Sequence, residues 1–383
     1  MRWNFNKILL AGVSSIYGIK EIKKKLSEDG YFVRFVDTQN MLNNYFNEDS
    51  DIEVAEEISI DKSTLYLPLN EFWLSYGHKK KIDQISDRAY KASRSKKYMS
   101  WLLCKNGMEY VNTLSIKEAR KKLCNGEKIL IKPDTYYSGH GVKVIDKRNM
   151  HNLCLYIQQA TQITEEAKRV LMIDKENVEI WEYVEGDEYS ADIFVHEGSY
   201  EILRLCKKKI VLIDDSPCVV AYITTATSSK IKNTIFNWMD IICGNNDITF
   251  CQIDFIKRHK TGNLVLIDFS CRVGGGMVDM IKRYKNNIYM DALRTLVNQQ
   301  YINNISNNGI YQLNIVPIKK GMLKSDNYDI TAGEIIKYKN KGEYITRIGG
   351  SANDRLGCIV GDDFLHDFCS KFSEVLIGDQ YID

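Results

Sequence analysis

The sequence has few prolines, four in 383 residues, and it lacks the signatures of several common protein classes. No run of 18 apolar residues occurs. The apolar stretch at 7–13 is too short to cross a bilayer, and no small-residue cleavage signal follows it. We therefore expect a cytoplasmic protein without a membrane partner.

The charge balance gives no sign of a nucleic-acid partner. The chain has 52 Lys and Arg against 50 Asp and Glu, a formal net charge of +2. Nucleic-acid binding usually needs a basic face. Lysine runs at 23–25, 79–81 and 207–209 are scattered along the chain, and most are expected to be solvated.

Metal and redox motifs built on cysteine are also missing. None of the ten cysteines forms a CxxC pair, and no HxxxH occurs, so nothing indicates a zinc site. Cys206, Cys251 and Cys271 lie inside apolar runs. This placement is typical of small buried residues in a reduced compartment.

Two phosphate-binding motifs are absent as well. There is no GxxxxGK[ST] loop, and the turn GVSSIYG at 12–18 lacks the GxGxxG spacing of a dinucleotide site. Asp37 is the one candidate in that region for contacting an adenosine ribose. A nicotinamide-dependent enzyme is therefore an alternative that the sequence disfavours.

The chain is too long for one typical core and predicts two or three domains. KILLAGV (7–13), a helix at 18–30 and a strand at 31–38 form a βαβ unit, and a third strand is expected at 64–69. The fold class is thus α/β and α+β. We expect a parallel α/β domain over 1–88, a nucleotide-binding region over 89–309 and a small α+β unit over 310–383.

The middle region predicts helices and antiparallel strands. From residue 88 a basic helix extends to Gly107, and SIKEARKKLCNG (115–126) begins with a capping box. The further predicted elements are β runs around 128–134 and 141–146, a helix at 152–168, a hairpin over 191–213 that turns at Glu197 and Gly198, a helix at 229–243, strands at 248–256 and 264–272, and a closing helix at 362–376.

Two aspartates lie in the last strand pair. The turn KRHKTGN allows antiparallel pairing, which can bring Asp254 close to Asp268. Two adjacent half-buried carboxylates need a compensating cation or a shared proton, and Mg²⁺ with phosphates suits two carboxylates well. Alternatively, one or both acids pair with Arg272 or a lysine.

Two glycine-rich segments can approach an anion with backbone amides. Lys132 lies on a strand before SGHG (138–141), and GGG (274–276) follows Arg272 closely. Each can equally be a plain turn. The segment WEYV (181–184) can read an adenine through its backbone, and Glu188 can accept from ribose hydroxyls. An ordinary edge strand with solvated glutamates explains that segment as well.

The order of these pieces resembles the ATP-grasp superfamily over about residues 88–300, and the carboxylate–amine ligases within it. The resemblance implies a pre-ATP-grasp domain at the N-terminus. It also implies a two-lobed ATP-grasp domain with antiparallel sheets and a mobile lobe at about 126–185. A small C-terminal unit would follow.

The resemblance also implies roles for particular residues. Two lysines would bind the α- and β-phosphates, a loop would close over them, and a hinge segment would hold the adenine beside the ribose. The two lysines are Lys96 and Lys132, and the loop is Ser138, Gly139, His140 and Gly141. The hinge segment is Glu182, Tyr183 and Val184, and the residue beside the ribose is Glu188.

The implied metal ligands are Asp254, Asp268 and Ser270, where the family usually has Glu, Glu and Asn. Shorter acids and a hydroxyl imply tighter metal geometry or one weaker metal. Arg272, with Lys132, would stabilise the transferring phosphoryl group. Gly274, Gly275 and Gly276 would contact substrate, and the tract at 214–230 is expected to help line the pocket.

The implied reaction forms an amide or peptide bond from a carboxylate and an amine, both amino acids in the simplest case. It proceeds through an acyl phosphate, with ATP and Mg²⁺ or Mn²⁺. The alternatives are other ATP-grasp chemistry, such as carboxylation or simple phosphorylation, and a nucleotide-binding module without turnover. A homodimer is a further family expectation.

Overall fold

A computed structural model describes residues 5–12, 19–39, 52–134, 139, 141–171, 177–274, 291–293, 309–328, 334–346, 348, 354–362 and 372–382, without the side chains of 164–171. Its helices are α1 (Ile19–Glu28), α2 (Glu71–Lys80), α3 (Asp87–Arg94), α4 (Lys96–Lys105), α5 (Ile116–Cys124), α6 (Leu153–Leu171) and α7 (Ser229–Ile242). Its strands are β1 (Lys7–Ala11), β2 (Phe32–Asp37), β3 (Ile52–Val54), β4 (Thr64–Pro68), β5 (Thr113–Leu114), β6 (Ile129–Pro133), β7 (Lys143–Ile145), β8 (Val178–Glu182), β9 (Gly186–His196), β10 (Ser199–Ile213), β11 (Ser216–Thr224), β12 (Ile248–Arg258), β13 (Leu264–Ser270), β14 (Tyr311–Pro317), β15 (Gly321–Met322), β16 (Glu334–Lys337), β17 (Tyr344–Ile345), β18 (Gly357–Gly361) and β19 (Leu376–Ile377).

The N-terminal region is a parallel sheet in the order β3-β2-β1-β4. The continuous apolar run of β1 is buried because both faces of the sheet are covered. Ile8 and Leu10 pack with α1 on one face, and Leu9 and Ala11 pack with α2 on the other. The predicted βαβ unit and third strand are confirmed. The three-residue strand β3 was not predicted, since so short a segment carries little periodicity.

The predicted basic helix is wrong as a single element. It is two helices, α3 and α4, separated at Ser95, which is extended with φ −144° and ψ 110°. The Ser95 hydroxyl accepts a hydrogen bond from the Tyr98 amide and caps α4. Lys96 is therefore the first residue of a helix. Continuous helical periodicity across the break hides this cap in the sequence.

The four-stranded antiparallel sheet β5-β8-β6-β7, with α5 and α6, is called the small lobe below. The predicted capping box is present, with Ser115 and Glu118 bonded in both directions at the start of α5. The sheet includes β5, which precedes the start predicted for a mobile lobe at residue 126.

A nine-stranded sheet dominates the molecule and is called the large sheet below. Its order is β13-β12-β9-β10-β11-β14-β18-β16, with β19 beside β14. The predicted hairpin turn at Glu197 and Gly198 is confirmed, and both residues have positive φ, 48° and 76°. Apolar side chains on one face of β9, β12 and β13 pack against α3, α4 and α7. The opposite face is mixed: Phe194 of β9 and Phe250 of β12 pack with the N-terminal region, whereas Gln252 and Asp254 follow Phe250 on the same face of β12.

The C-terminal strands β14, β16 and β18 continue the large sheet across the boundary proposed at residue 309. Residues 363–371 of the predicted closing helix lie outside the described residues. Its end is wrong, because Phe372–Val375 is a 3₁₀ turn and Leu376–Ile377 pairs with β14. Apolar residues in so short a run fit a strand as well as a helix.

Among the helices described, none is long and apolar enough to span a bilayer. The nine cysteines whose positions are described have free thiols. Cys206, Cys251 and Cys271 are buried, as their apolar surroundings predicted.

Candidate active site

The site is built around two facing aspartates on the mixed face of the large sheet. β12 and β13 are antiparallel, and Asp254 pairs directly with Asp268. A β-bulge follows Asp254 in the register. The two side chains are 17% and 29% exposed. The predicted pairing is therefore present, with both carboxylates half-buried on neighbouring strands.

Three lysine side chains converge on these acids. Lys208 Nζ lies 2.7 Å from Asp254 Oδ2 and 2.8 Å from Glu188 Oε1. Lys96 Nζ lies 3.4 Å from Asp268 Oδ1. Lys132 Nζ donates to the Ile267 carbonyl at 3.0 Å, beside Asp268.

The charges shift one another's pKa values in opposite directions. Burial alone would raise the pKa of Asp268, but Lys96, Lys132 and Arg272 hold it below its usual value. Burial would lower the pKa of Lys208, but Asp254 and Glu188 outweigh it and raise that pKa. For Lys132 burial prevails over Asp268, so its pKa is lowered. The site thus keeps charged acids among cations in a partly desolvated space.

Lys208 was missed by the sequence analysis, which placed the run 207–209 among solvated lysines. Alternation along β10 turns Lys208 inward, where its side chain is 7% exposed, and leaves Lys207 outside at 42%. The available signal was the period of two along a strand that also carries buried Cys206.

Ser270 and Arg272, predicted as a metal ligand and a catalytic cation, both bond to Glu71. The Ser270 hydroxyl donates to Glu71 Oε1 at 3.1 Å, and Arg272 Nε donates to the same oxygen at 2.8 Å. Arg94 Nη1 donates to Glu71 Oε2. Glu71 lies in the first turn of α2 and was also missed, because nothing local marks it as part of a distant site.

Gly274 is fixed by a buried ion pair. Its amide donates to Asp192 Oδ1 at 3.0 Å, and Arg204 Nη2 donates to Asp192 Oδ2. A Cβ at Gly274 would lie 2.9 Å from Asp192 Oδ1, so a larger residue would disturb this contact. Gly275 and Gly276 lie outside the described residues.

In the glycine turn between β6 and β7, the structure describes two of the four residues predicted to bind phosphate. Gly139 and Gly141 both have φ of 73°, which favours glycine, and the Val142 amide donates to the Gly139 carbonyl at 3.2 Å. Ser138 and His140 lie outside the described residues.

The predicted hinge segment follows β8 of the small lobe. Glu182 accepts from Asn112 Nδ2 at 3.0 Å and lies 3.7 Å from Lys122 Nζ. Tyr183 is exposed beneath Lys128, whereas Val184 is buried with Val265 of β13. The segment thus connects the small lobe to the large sheet, while Glu188 beyond it bonds to Lys208.

The donor set fits Mg²⁺ bound to phosphates. Asp254 and Asp268 offer two facing carboxylates, and Mg²⁺ typically takes one or two carboxylates plus phosphate oxygens and water. Among the described residues, no three or more His, Cys, Asp or Glu side chains form a group that could hold a metal. Phosphate oxygens or water would therefore have to complete the coordination. The Ser270 hydroxyl is already engaged with Glu71, which weakens its case as a ligand.

Asp37 has a structural role. It is fully buried and accepts hydrogen bonds from Trp73 Nε1 at 3.0 Å and from the Thr38 amide at 2.9 Å. A carboxylate held in this way does not face a ribose, so the nicotinamide alternative has no supporting residue at this position.

Comparisons with known proteins agree with this architecture. Residues 126–279 match the family model of the ATP-grasp domain. None of the curated proteins compared with this chain matches its sequence.

Solved structures with the same fold cover nearly the whole chain. An L-amino acid ligase from Bacillus licheniformis has 12% identity and a TM-score of 0.64, covering 97% of each chain. An N5-carboxyaminoimidazole synthase from Aspergillus clavatus, in complex with ADP and 5-aminoimidazole ribonucleotide, has 12% identity and a TM-score of 0.61, covering 97% of this chain and 99% of its own.

A third structure is the biotin carboxylase domain dimer of the Hydrogenobacter thermophilus 2-oxoglutarate carboxylase, in complex with MgADP, ADP and bicarbonate. It has 12% identity and a TM-score of 0.59, covering 97% of this chain and 89% of its own. Residues 126–279 therefore match an ATP-grasp domain, and the chain shares the fold of these three structures along nearly its whole length.

Proposed function

We propose that the protein is an ATP-dependent carboxylate–amine ligase that forms an amide or peptide bond and releases ADP and phosphate. One observation carries the proposal: Asp254 and Asp268 face each other on paired strands, and Lys96, Lys132 and Lys208 surround them. A triphosphate with its metal matches this mixture of carboxylates and ammonium groups.

The chain's own residues position and neutralise the reacting groups. Lys96 and Lys132 bind phosphate oxygens, and the glycine turn at 138–141 covers them. Asp254 and Asp268 would hold Mg²⁺, which would neutralise charge on the phosphates as a Lewis acid. Tyr183 and its neighbours hold the adenine, and Glu188 binds the ribose by giving up part of its contact with Lys208.

Two displacements complete the reaction. A substrate carboxylate oxygen attacks the γ-phosphorus, the bond to the β-phosphate oxygen breaks, and ADP leaves. Arg272 and Lys132 stabilise the charge on the transferring phosphoryl group. The amine nitrogen then attacks the acyl carbon, phosphate departs, and the nitrogen loses its proton as the amide forms.

A phosphate-release screen with MgATP tests the proposal. Pairs of amino acids and other small carboxylates serve as substrates, and mass spectrometry identifies the products. Asp268→Asn should lower ADP formation at least about 100-fold because the metal–phosphate contact is lost. Asp187→Asn, at an exposed acid on β9 that pairs with Lys207, is the matched control. Full turnover by Asp268→Asn would contradict the metal assignment.

Carboxylation is the second candidate. The folds of the biotin carboxylase domain and the N5-carboxyaminoimidazole synthase are nearly as similar to this chain as that of the ligase, with TM-scores of 0.59 and 0.61 against 0.64. ADP formation that requires bicarbonate but no amine would favour it. Binding of ATP without hydrolysis in any mixture would instead favour a module without turnover.

A further inference from the structure

The Glu71 carboxylate joins three segments that are distant in the sequence. It comes from α2 of the N-terminal region and accepts from Arg94 at the end of α3, from Ser270 at the end of β13 and from Arg272 just beyond that strand. All four side chains are largely buried. The contact therefore fixes the N-terminal region against the strand that carries Asp268.

The charges in this cluster are unequal. Two guanidinium groups share one carboxylate, so the cluster has a net positive charge. Burial alone would raise the pKa of Glu71, but Arg272 and Arg94 keep it below its usual value. A buried carboxylate between two cations stays ionised and holds both in place.

Arg94 depends on Glu71 more than on any other described side chain. Its Nε and Nη2 atoms are buried and find no hydrogen-bond partner among the residues that the structure describes. Its Nη1 bond to Glu71 is thus the contact that compensates its charge. Loss of the Glu71 charge would leave this guanidinium without a counter-ion.

Arg272 is oriented from two sides. Its Nε is bonded to Glu71 at 2.8 Å, and its Nη1 donates to the Val273 carbonyl at 2.7 Å. The Nε bond fixes the plane of the guanidinium, since a guanidinium presents its donors in a rigid fork. Ser270 is fixed by the same carboxylate oxygen.

We infer that Glu71 is a positioning residue, which holds the Arg272 guanidinium toward the γ-phosphoryl group and so makes the N-terminal region part of the catalytic apparatus. This inference rests on the proposed function, because it assigns Arg272 to the phosphoryl group. The inference also gives Ser270, which was predicted as a metal ligand, another role: its hydroxyl donates to the Glu71 oxygen that holds Arg272.

The test measures binding, so that no substrate needs to be known. Calorimetry gives the dissociation constants of MgADP and of Mg–β,γ-methylene-ATP for the wild type, Glu71→Gln, Arg272→Ala and the double variant. The control is Asp247→Asn, at a buried carboxylate that accepts from the Ser86 and Gly244 amides at the opposite end of α3.

We expect the wild type to prefer the triphosphate analogue. This preference should fall about tenfold in Glu71→Gln and in Arg272→Ala, and no further in the double variant, because Glu71 acts through Arg272. MgADP affinity should stay within about threefold, and Asp247→Asn should keep the wild-type preference. If Glu71→Gln does not fold, Glu71→Asp retains the charge but loses reach and should show a smaller loss in the same direction.

Several results would overturn the inference. These are an unchanged preference in Glu71→Gln, a loss in the double variant equal to the product of the single losses, an equal loss in Asp247→Asn, and a wild type that binds both nucleotides equally. In each case nucleotide binding itself stands. A wild type that binds neither nucleotide would refute the proposed function and this inference with it.

Discussion

At the scale of single residues, Lys208 supplies the positive charge that compensates two acids on the large sheet. Its ammonium group lies between Glu188 and Asp254 at 2.8 and 2.7 Å. Without it, two neighbouring carboxylates would remain in a partly desolvated site.

Replacing this lysine should therefore destabilise the protein. We expect Lys208→Met to lower the free energy of unfolding by about 3 kcal/mol, since it leaves buried acids without their counter-ion. Lys207→Met, at the neighbouring exposed residue, should change it by less than about 1 kcal/mol. Urea unfolding at pH 7.5 measures both. Equal effects of the two substitutions would contradict the role given to Lys208.

Residue roles were predictable from the sequence only where a motif carries them. Two predicted strands joined by a short turn indicated that Asp254 and Asp268 lie opposite each other, and the structure confirms this pairing. Glu71, Arg94 and Asp192 could not be found, because each acts through a tertiary contact between segments far apart in the chain. The alternation that buries Lys208 was visible but was outweighed by the run of three lysines.

At the scale of elements, the junction between α2 and α3 contains a carboxyl group with a raised pKa. Burial raises the pKa of Asp83 from 3.8 to about 6, although His78 opposes this shift and Asp247 adds to it. His78 Nδ1 lies 3.2 Å from Asp83 Oδ2, and its ring stacks on Tyr90 of α3.

The sign of the resulting pH dependence follows from the raised pKa. Between pH 4 and 6 the folded state binds more protons at Asp83 than the unfolded state, so stability falls as the pH rises through this window. The penalty is complete above pH 6 and reaches up to about 3 kcal/mol. Asp83→Asn should remove it.

Urea unfolding of the wild type and of Asp83→Asn at pH 4.5, 5.5, 6.5 and 7.5 measures this effect. The stability of the variant relative to the wild type should increase with pH and then level off above pH 6.5. A difference between the two proteins that does not depend on pH would contradict the raised pKa.

The turn of the β10–β11 hairpin is attached to the small lobe. Asp214 and Asp215 have φ of 53° and 61°, as a two-residue hairpin turn requires. Asp215 accepts from Tyr156 Oη at 2.6 Å through its side chain and from the Val144 amide at 2.8 Å through its carbonyl. Lys143 Nζ donates to the Asp214 carbonyl. This part of the tract 214–230 therefore fastens the small lobe.

Removing the Asp215 carboxylate while keeping the turn isolates this attachment. The double change Asp214→Asn and Asp215→Gly preserves the residue types that favour the turn. Hydrogen exchange of β7 should quicken about tenfold because a charge-assisted hydrogen bond is lost, while exchange at the centre of β10 stays unchanged. Unaltered exchange of β7 would contradict the attachment.

Most elements were predictable from periodicity and end signals, and each exception has an identifiable cause. The capping box at Ser115 and the turn at Glu197–Gly198 are confirmed. The break at Ser95 was missed because apolar spacing continues across it. The strand β19 was missed because its pairing with β14 is non-local.

At the scale of the whole molecule, the large sheet extends through the C-terminal unit. β14 pairs with β11 over Ala221 to Ile223, and Tyr311, Leu313 and Ile315 are fully buried. The sequence predicted a small α+β unit over 310–383, but it could not show that β14, β16 and β18 extend the same sheet, since strand order depends on distant pairing. The homodimer and the cytoplasmic location stay predictions.

A chain ending at residue 309 should therefore aggregate. Loss of residues 310–383 exposes the hydrogen-bonding edge of β11 and the side of Ala221 that packs in the C-terminal apolar cluster. Analytical ultracentrifugation of the truncated and full-length proteins measures this. A monomeric fragment with the thermal stability of the full chain would show that the C-terminal unit is independent.

The central claim is that Asp254 and Asp268 together hold the metal of a bound nucleotide. Anomalous diffraction from crystals grown with Mn²⁺ and ADP tests it most directly, because the manganese can be located independently of the protein atoms. We predict a manganese peak within about 2.5 Å of a carboxylate oxygen from each aspartate and in contact with the ADP phosphates. A manganese–ADP complex bound away from both aspartates would contradict the account.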